Sequence, residues 1–235
     1  MLNNGPGHNR DASNIKSCPF CSELSGGRSQ YSDWAAENSS LPANRILYAG
    51  SHWVIVPSIG AITSGYLLFV SKLHRLSVAE CGAQEIAELE DLIDRTRDFL
   101  EKVYHLPCVL FEHGGTTNAE STAASVSHCH IHIVPFRGDL LAADDDRAAV
   151  SISGLRDIGR QIQTPASYLF YQSNQKKNYL ILRGGYPSQY FRKLLAERLG
   201  IKERWDWRDS PLLPNFMGTY GLLKRMGFEK SFLNE

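Results

Sequence analysis

The sequence has no run of about 18 apolar residues, so it predicts no membrane-spanning helix. It also has no net charge, because 25 Lys and Arg residues balance 25 Asp and Glu residues. A neutral chain offers no overall basic field, so neither nucleic acid nor an anionic membrane is an expected partner. Residues 1–16 are polar and have no apolar segment typical of a signal peptide. We therefore expect a disordered N-terminus and a cytoplasmic protein.

Cysteine is scarce, and its count of five is odd. A reducing cytoplasm disfavours disulfides, so free thiols are expected. Cys81, Cys108 and Cys129 lie in apolar or helical contexts typical of packing residues. The motif Cys18-Pro19-Phe20-Cys21 puts two sulfurs in one turn, which is half of a tetrahedral zinc site. A redox pair or two unrelated thiols are alternatives, although no thioredoxin-like strand–CxxC–helix pattern follows.

Histidine occurs eight times, and three of the eight lie in the short segment 127–135. Alternate side chains of a strand point to opposite faces. The segment then has a histidine row and an apolar row: His128, His130 and His132 on one face, and Cys129, Ile131 and Ile133 on the other. The apolar row is typical of a side that packs on a core. Three imidazoles in a row can bind a metal, attack phosphorus or transfer a proton, whereas an exposed strand merely rich in histidine would have the same spacing.

The remaining patterns predict an α+β fold. Residues 78–104 have apolar side chains near a 3.6-residue period, which predicts a long helix. Short β-branched and aromatic runs predict strands at 45–48, 53–57, 65–71 and 108–112, the first three as an antiparallel meander. With the histidine strand they give an antiparallel sheet of about five strands, with the long helix on one face. Residues 22–44 are rich in Ser, Gly and Asn and predict a long polar connection.

The C-terminal part predicts an α/β extension. Two strand-like runs, 168–172 and 178–183, flank a polar turn and predict a hairpin. Helices are expected at 152–163, 187–199 and 215–225.

The motifs together resemble the histidine triad family of nucleotide hydrolases and transferases. The histidine strand, preceded by Ser125 and followed by Pro135, has the family's alternating pattern. The C-x-x-C motif resembles the N-terminal knuckle of zinc-bearing members. Residues 65–74 resemble a strand ending in "P-K-x-H", with Ser71 in place of the proline, and residues 111–114 resemble a strand end that carries asparagine in many relatives. The resemblance implies a catalytic domain at 17–138 and a C-terminal extension at 139–235, packed on or near it.

The resemblance also implies catalytic roles. His130 would attack the α-phosphorus of a nucleotide, with one ring nitrogen held as N–H by a fixed acceptor such as a backbone carbonyl. His132 would donate to phosphate oxygens. Phosphate contacts are expected from the small-residue loop before the histidine strand: Ser125, Asn118 and Thr117. His113 stands where relatives have an amide, so it is either a phosphate contact or an ordinary loop histidine.

The resemblance gives His74 and His128 two possible roles. In zinc-bearing relatives, the counterparts of Cys18, Cys21, His74 and His128 form one tetrahedral site, whereas in zinc-free relatives the histidines only support the strand. The intact cysteine pair favours zinc. With four protein ligands the metal would have no open position for water and would be structural.

The substrate is less defined by the motifs. Relatives that bind purine nucleosides often have an acidic residue for the ribose in the loop that here is 57–61, and this loop has none; Ser58 could replace it. Cationic and aromatic side chains of the extension could serve an anionic substrate, although surface arginines and core aromatics explain them more simply: Arg183, Tyr190, Arg192 and residues 205–208.

The leading hypothesis is a nucleotide hydrolase or nucleotidyltransferase that acts on a nucleoside phosphate derivative through a nucleotidyl-histidine. A sugar-phosphate nucleotidyltransferase, or an enzyme like a dinucleoside polyphosphate phosphorylase, is the first alternative. A non-enzymatic nucleotide-binding or zinc-stabilised interaction module is the second. Family members often pair through the sheet and helix, so a homodimer is also expected unless the extension alters it.

Overall fold

The computed structural model describes residues 18–115, 126–141, 148–162, 167–182 and 184–232. The segment 1–16, for which we expect disorder, lies outside these residues. Across the described ranges, no helix combines the length and the apolar character that a membrane crossing needs.

The framework is one antiparallel sheet in the order β1-β2-β3-β5-β4-β7-β8-β6. Its strands are β1 Tyr48–Ala49, β2 Trp53–Pro57, β3 Leu67–Ser71, β4 Cys108–Gly115, β5 His130–Pro135, β6 Val150–Ile152, β7 Ser167–Gln172 and β8 Asn178–Ile181. The α+β class is confirmed, but the sheet is larger than the five strands expected. The additional strands come from the C-terminal part, because β7 pairs along β4 from Leu110↔Gln172 to Gly115↔Ser167.

Two short helices, α1 Pro19–Leu24 and α2 Gln30–Glu37, lie where the sequence predicted a turn at the C-x-x-C motif and a polar connection over 22–44. Their start signals are local. Pro19 occupies the first turn of α1, a position where its missing N–H is not needed. Ser29 and Ser32 form a capping box, in which each hydroxyl accepts a hydrogen bond from the other residue's backbone N–H. These caps stabilise helices too short to show a clear apolar period.

The other helices are α3 Ala83–Tyr104, α4 Arg156–Gln161, α5 Tyr190–Arg198 and α6 Leu213–Arg225. α3 is the predicted long helix. It begins five residues later than expected, because residues 78–80 form a separate 3-10 turn. The Glu85 carboxylate accepts from the Gly82 N–H at 2.7 Å and so caps the first turn of α3.

The sheet separates two apolar cores. On one face, α3 and the C-terminal residues Phe228 and Phe232 cover the row formed by Cys129, Ile131 and Ile133, all fully buried. The expectation that this row packs on a core is therefore confirmed. On the other face, α1 and α5 cover β2, β3 and β4. His130 and His132 point to this second side, where the two helices leave space between them.

The C-terminal part packs directly on the loop that follows β2. The Gly60 N–H donates to the Pro211 carbonyl at 2.7 Å, and the Asn215 side chain donates to the Ala61 carbonyl at 2.8 Å. Gly60 has φ +67°, and a Cβ there would lie 2.6 Å from Cβ of Trp207. Glycine is required at this position both for the left-handed backbone and for the close approach.

Candidate functional site

The site lies on β5, where the strand alternation puts two histidines on one face. His132 is paired with Leu68 on one side and with Phe111 on the other. His130 is two residues earlier, and the two ring centroids are 5.0 Å apart. Both imidazoles therefore project into the same region from the middle of the sheet, where neighbouring strands fix their positions.

The orientation of His130 is fixed by its own backbone. Nδ1 lies 2.6 Å from the carbonyl oxygen of His128, which can only accept, so Nδ1 must donate. The proton is then on Nδ1, and Nε2 carries a lone pair. This is the arrangement expected for a nucleophilic imidazole, because the attacking nitrogen must be unprotonated.

Two aromatic residues hold the imidazole of His132 in place. Its Nδ1 lies 2.8 Å from the hydroxyl of Tyr66, and its ring stacks on Phe111 with centroids 4.6 Å apart. When the Tyr66 hydroxyl donates to Nδ1, the remaining proton of a neutral His132 is on Nε2, where it can be donated to a ligand. The two histidines thus take complementary roles: one has a free lone pair and the other a free N–H.

Burial keeps both imidazoles neutral. It is the largest cause that lowers the pKa of His130, and the positive charge of Arg192 lowers it further. For His132, burial again lowers the pKa most, followed by the proximity of His130 and Arg192. Desolvation disfavours the charged form of a base, so an unprotonated nitrogen persists at neutral pH.

Two cavities meet at these histidines. The larger is mainly apolar, and its walls include Phe20, Tyr31, Ile59, Leu68 and Trp207. The smaller lies towards α5 and includes His113, Gln189 and Tyr190. His130, His132 and Arg192 line both cavities. A mainly apolar cavity with a few convergent polar groups is typical of small-molecule sites.

A second cluster lies next to this site, because its member His128 is two residues before His130. In this cluster, the ligand atoms of Cys18, Cys21, His74 and His128 lie within 4.8 Å of one another. Sγ of Cys18 is 3.3 Å from Nδ1 of His128, and Sγ of Cys21 is 3.2 Å from Nδ1 of His74. Zinc bonds of about 2.3 Å to sulfur and about 2.0 Å to nitrogen, at tetrahedral angles, separate ligands by about 3.3–3.8 Å. The four side chains fit a zinc site with four protein ligands.

The tautomer of His128 also suits a metal. Its Nε2 lies 2.7 Å from the carbonyl oxygen of Ser71, so Nε2 carries the proton and Nδ1 offers its lone pair to the cluster. His128 precedes β5, which begins at His130, and it is almost fully buried. The histidine row is thus divided between two sites, with His128 in the cysteine cluster and His130 and His132 beside the cavities.

The structure places seven of the ten residues expected at the site. The structure brings the four metal-ligand candidates together in one cluster, and His130 and His132 together in the other site. His113 lies on β4, not in a loop. Its Nδ1 is buried with no partner among the described residues, and burial lowers its pKa to about 4. The three expected phosphate contacts of the small-residue loop lie outside the described residues: Thr117, Asn118 and Ser125.

The sequence did not single out Tyr66 or the second-sphere role of Ser71. Tyr66 lies just before β3, and it faces His132 only because β3 pairs with β5. Ser71 stands in place of a proline in the strand-end pattern, and its carbonyl orients His128. The register between strands distant in the sequence decides both contacts, so no local signal could have identified them.

The chain is similar to solved structures of histidine triad proteins. A zinc-bound histidine triad family protein from Mycobacterium smegmatis is 20% identical, with 55% of this chain and 82% of that chain covered and a TM-score of 0.37. A member of the HIT family from Bacillus subtilis is 19% identical, with 62% and 94% covered and a TM-score of 0.39. A HIT family hydrolase from Clostridium thermocellum is 17% identical, with 54% and 98% covered and a TM-score of 0.33. No family model and no curated protein matches the chain. The structures to which the chain is similar thus carry the name of the family that its sequence motifs resemble.

Proposed function

We propose that this protein is a histidine-triad-type enzyme that transfers a nucleoside monophosphate group through His130, to water or to another acceptor. The observation that carries the proposal is the 2.6 Å contact between Nδ1 of His130 and the carbonyl of His128. It holds the proton on Nδ1 and leaves a lone pair on Nε2, and His130 lines the larger, mainly apolar cavity. A fixed, neutral imidazole is the requirement for covalent catalysis by histidine.

The reaction proceeds in two displacements. The Nε2 lone pair of His130 attacks the α-phosphorus, a P–N bond forms, and the bond to the leaving group breaks with its electron pair on the leaving group, which takes a proton from solvent. Water or an acceptor hydroxyl then attacks the same phosphorus, loses its proton, and the P–N bond breaks to restore His130. Dividing one difficult displacement into two lowers each barrier.

His132 and Tyr66 support both steps. The Tyr66 hydroxyl, donated to Nδ1 of His132, directs Nε2–H of His132 towards the phosphoryl oxygens. Negative charge develops on these oxygens as the phosphorus is attacked, and a donor already in position stabilises it without reorganisation. The aromatic side chains of Phe20, Tyr31 and Trp207 would contact the nucleoside, since they form much of the larger cavity.

The four-ligand cluster has a structural role in this proposal. Cys18, Cys21, His74 and His128 would hold zinc, which supplies a rigid link between the start of α1 and the start of β5. His128 belongs to this cluster, and its carbonyl orients His130. The cluster therefore positions the nucleophile without taking part in the reaction.

Transfer to an acceptor other than water is the second candidate, and the smaller cavity favours it. This cavity lies on the far side of the histidines from the nucleoside cavity and includes His113 and Tyr190. A sugar phosphate or inorganic phosphate bound there would stand where a second displacement needs its nucleophile. Product analysis with and without such acceptors separates the two outcomes.

The test is the variant His130→Asn, with turnover measured on a nucleoside phosphoramidate and on a dinucleoside polyphosphate. We expect a loss of roughly 10³-fold or more in turnover, because the attacking nitrogen is absent. Intact-mass measurement at neutral pH should detect a nucleotidyl adduct on the wild type during turnover and none on the variant. Zinc content and the far-UV circular dichroism spectrum should be unchanged.

A matched control is His105→Asn. His105 is exposed at the C-terminal end of α3 and has φ +53°, a conformation that asparagine tolerates. This variant should keep wild-type turnover. If His130→Asn retained the wild-type rate, the nucleophile assignment would be wrong. If the wild type bound nucleotides but turned over none of them, a binding module would replace the enzyme.

A further inference from the structure

Arg192 is a buried cation of the C-terminal part whose partners are all neutral. Its exposed fraction is 3%. Nε donates to the Trp205 carbonyl at 3.0 Å and to Oε1 of Gln189 at 3.1 Å, and Nη2 donates to the Gly60 carbonyl at 2.6 Å. Among the described residues, no carboxylate lies within 4.0 Å of it.

The other buried arginines differ in this respect. Arg45, also 3% exposed, donates from Nε and Nη2 to the two carboxylate oxygens of Glu23, each at 2.7 Å. Arg97 is fully buried and has Glu101 at 3.9 Å. A buried charge is unfavourable unless an opposite charge or equivalent hydrogen bonds compensate it. Three neutral oxygen acceptors hold the guanidinium of Arg192, so the fold fixes its orientation and provides no opposite charge among the described residues.

The position of Arg192 indicates where the opposite charge for its guanidinium would come from. The side chain lines both cavities beside His130 and His132. Its guanidinium carbon lies 5.4 Å from the centroid of Tyr66, whose hydroxyl contacts His132. Glu23 is the one acidic residue that lines the larger cavity in the described part of the chain, and Arg45 already neutralises it. The cavity therefore has one excess positive charge, next to the proposed nucleophile.

We propose that Arg192 binds a phosphate oxygen of the nucleotide, so that helix α5 of the C-terminal part supplies the positive charge that pairs with the substrate phosphate. This inference rests on the proposed function. The ligand class is a nucleoside 5′-phosphate whose nucleoside occupies the larger cavity and whose phosphate lies between His130 and Arg192. A guanidinium is suited to this task, because its planar donors match phosphate oxygens.

Arg192 also contributes to the chemical step. Charge on the phosphoryl oxygens increases as Nε2 of His130 approaches the phosphorus, and a fixed cation stabilises that charge. The three neutral acceptors keep the guanidinium in position before the substrate arrives. Residues 184–232 thus do more than cover the site, because one of them, Arg192, contacts the phosphoryl group.

The experiment compares the affinities of AMP and adenosine, measured by calorimetric titration, in the wild type, Arg192→Met and Arg192→Lys. Arg192→Met should weaken AMP binding roughly 10-fold to 100-fold, the range for losing a charge-assisted hydrogen bond. Adenosine affinity should stay within about twofold, because the variant keeps every aromatic side chain that lines the nucleoside cavity. Arg192→Lys should restore part of the AMP affinity, since the positive charge remains.

The matched control is Lys193→Met, which removes the same formal charge at the next position. Nζ of Lys193 lies 4.2 Å from the Trp205 ring and does not line either cavity. It should leave both affinities unchanged. Equal weakening of AMP and adenosine in Arg192→Met would show a structural role only and overturn the inference, as would unchanged AMP binding. If Arg192→Met did not fold, an Arg192→Lys variant with the same AMP to adenosine ratio as Lys193→Met would overturn it.

Failure of this inference is distinguishable from failure of the proposed function. If the wild type forms the nucleotidyl adduct and Arg192→Met forms it at the same rate from the same AMP derivative, only the role of Arg192 is wrong. If the wild type binds AMP through Arg192 but His130→Asn does not change turnover, the nucleophile is wrong and the phosphate contact stands. If the wild type binds neither AMP nor adenosine, both fail together.

Discussion

At the scale of single residues, one amino-acid type has different roles because its surroundings differ. His128, His130 and His132 follow one alternating pattern, yet each has a different hydrogen-bond partner. The partner of His128 is the Ser71 carbonyl, that of His130 is the carbonyl of His128, and that of His132 is the Tyr66 hydroxyl. The partner decides which ring nitrogen carries the proton, and the free nitrogen then decides what each residue can do.

Glu112 allows a prediction about pH and stability. It is a buried carboxyl on β4 that contacts the Tyr168 hydroxyl and the Val78 N–H, and burial raises its pKa to about 7. In the unfolded chain the pKa is near 4.3. Between these values the native state binds more protons than the unfolded state, so the contribution of Glu112 to stability is lost as the pH rises from about 4.3 through about 7.

We therefore expect Glu112→Gln to remove this loss, because the amide is neutral at every pH. The wild type should lose on the order of 3 kcal/mol more unfolding free energy than Glu112→Gln between pH 4.5 and pH 8. Urea unfolding at several pH values measures the difference. The control is Glu203→Gln, whose side chain is 86% exposed. If the unfolding free energies of the wild type and Glu112→Gln changed in parallel with pH, the raised pKa of the buried Glu112 carboxyl would be contradicted.

At the scale of elements, the short helix α1 depends on its attachments. It has six residues and buries only Phe20, so its own apolar contact is small. Isolated helices of this length are not stable in water. Two attachments hold it: the cluster that contains Cys18 and Cys21, and the ion pair between Glu23 and Arg45. Since Phe20 is part of the wall of the larger cavity, the cluster at Cys18 and Cys21 affects the shape of that cavity.

We expect Cys18→Ser to lose zinc and to loosen this element. Wild-type protein should contain about one zinc per chain, and the variant should contain little, because a hydroxyl is a poor replacement for a thiolate ligand. The unfolding temperature should fall by several degrees, and limited proteolysis should cut residues 18–44 faster. Elemental analysis and a thermal melt give both readouts.

Cys81→Ser is the matched control for that experiment. Cys81 is half-buried and lies outside the four-residue cluster. It should keep its zinc and its resistance to proteolysis. Zinc-free wild-type protein, with Cys18→Ser indistinguishable from it, would contradict the metal assignment.

At the scale of the whole molecule, the sheet joins the two parts that the sequence divides at residue 138. The long pairing of β4 with β7 crosses that boundary, and Phe170 of β7 lies in the same core as Leu110 of β4. The boundary between 17–138 and 139–235 is a prediction from the resemblance, and the continuous sheet makes independent unfolding of the two parts unfavourable.

We expect one cooperative unfolding transition in differential scanning calorimetry, with calorimetric and van't Hoff enthalpies close to each other. Phe170→Ala removes a buried ring from the shared core and should shift the entire transition to lower temperature. Two separate transitions, with only one of them moved by Phe170→Ala, would instead establish two independent domains.

The same pairing bears on assembly. β4 has neighbours on both sides, β5 and β7, so its edge is not available for pairing with another chain. The outer strands of the described sheet are β1 and β6. The homodimer stays a prediction, and sedimentation of the full chain would test it.

The sequence alone predicted the α+β class, the long helix, the strand Trp53–Pro57 and a strand at 108–112, because their signals are local and periodic. The structure extends the last of these strands to Gly115. The sequence missed α1 and α2, whose stability comes from caps and attachments instead of an apolar period. The resemblance also predicts the four candidate metal ligands, although these residues are up to 110 positions apart.

Only the tertiary structure decided which nitrogen of each histidine is free and which distant residues approach them. Arg192 appears in the sequence as one arginine among several, and nothing local separates it from a surface charge. The role that we propose for it depends on burial beside His130 without a carboxylate, and burial depends on how α5 packs over the sheet. Alternation along a strand is a property of residues adjacent in the sequence. Whether a buried charge has an opposite charge beside it depends on all the elements that pack around it.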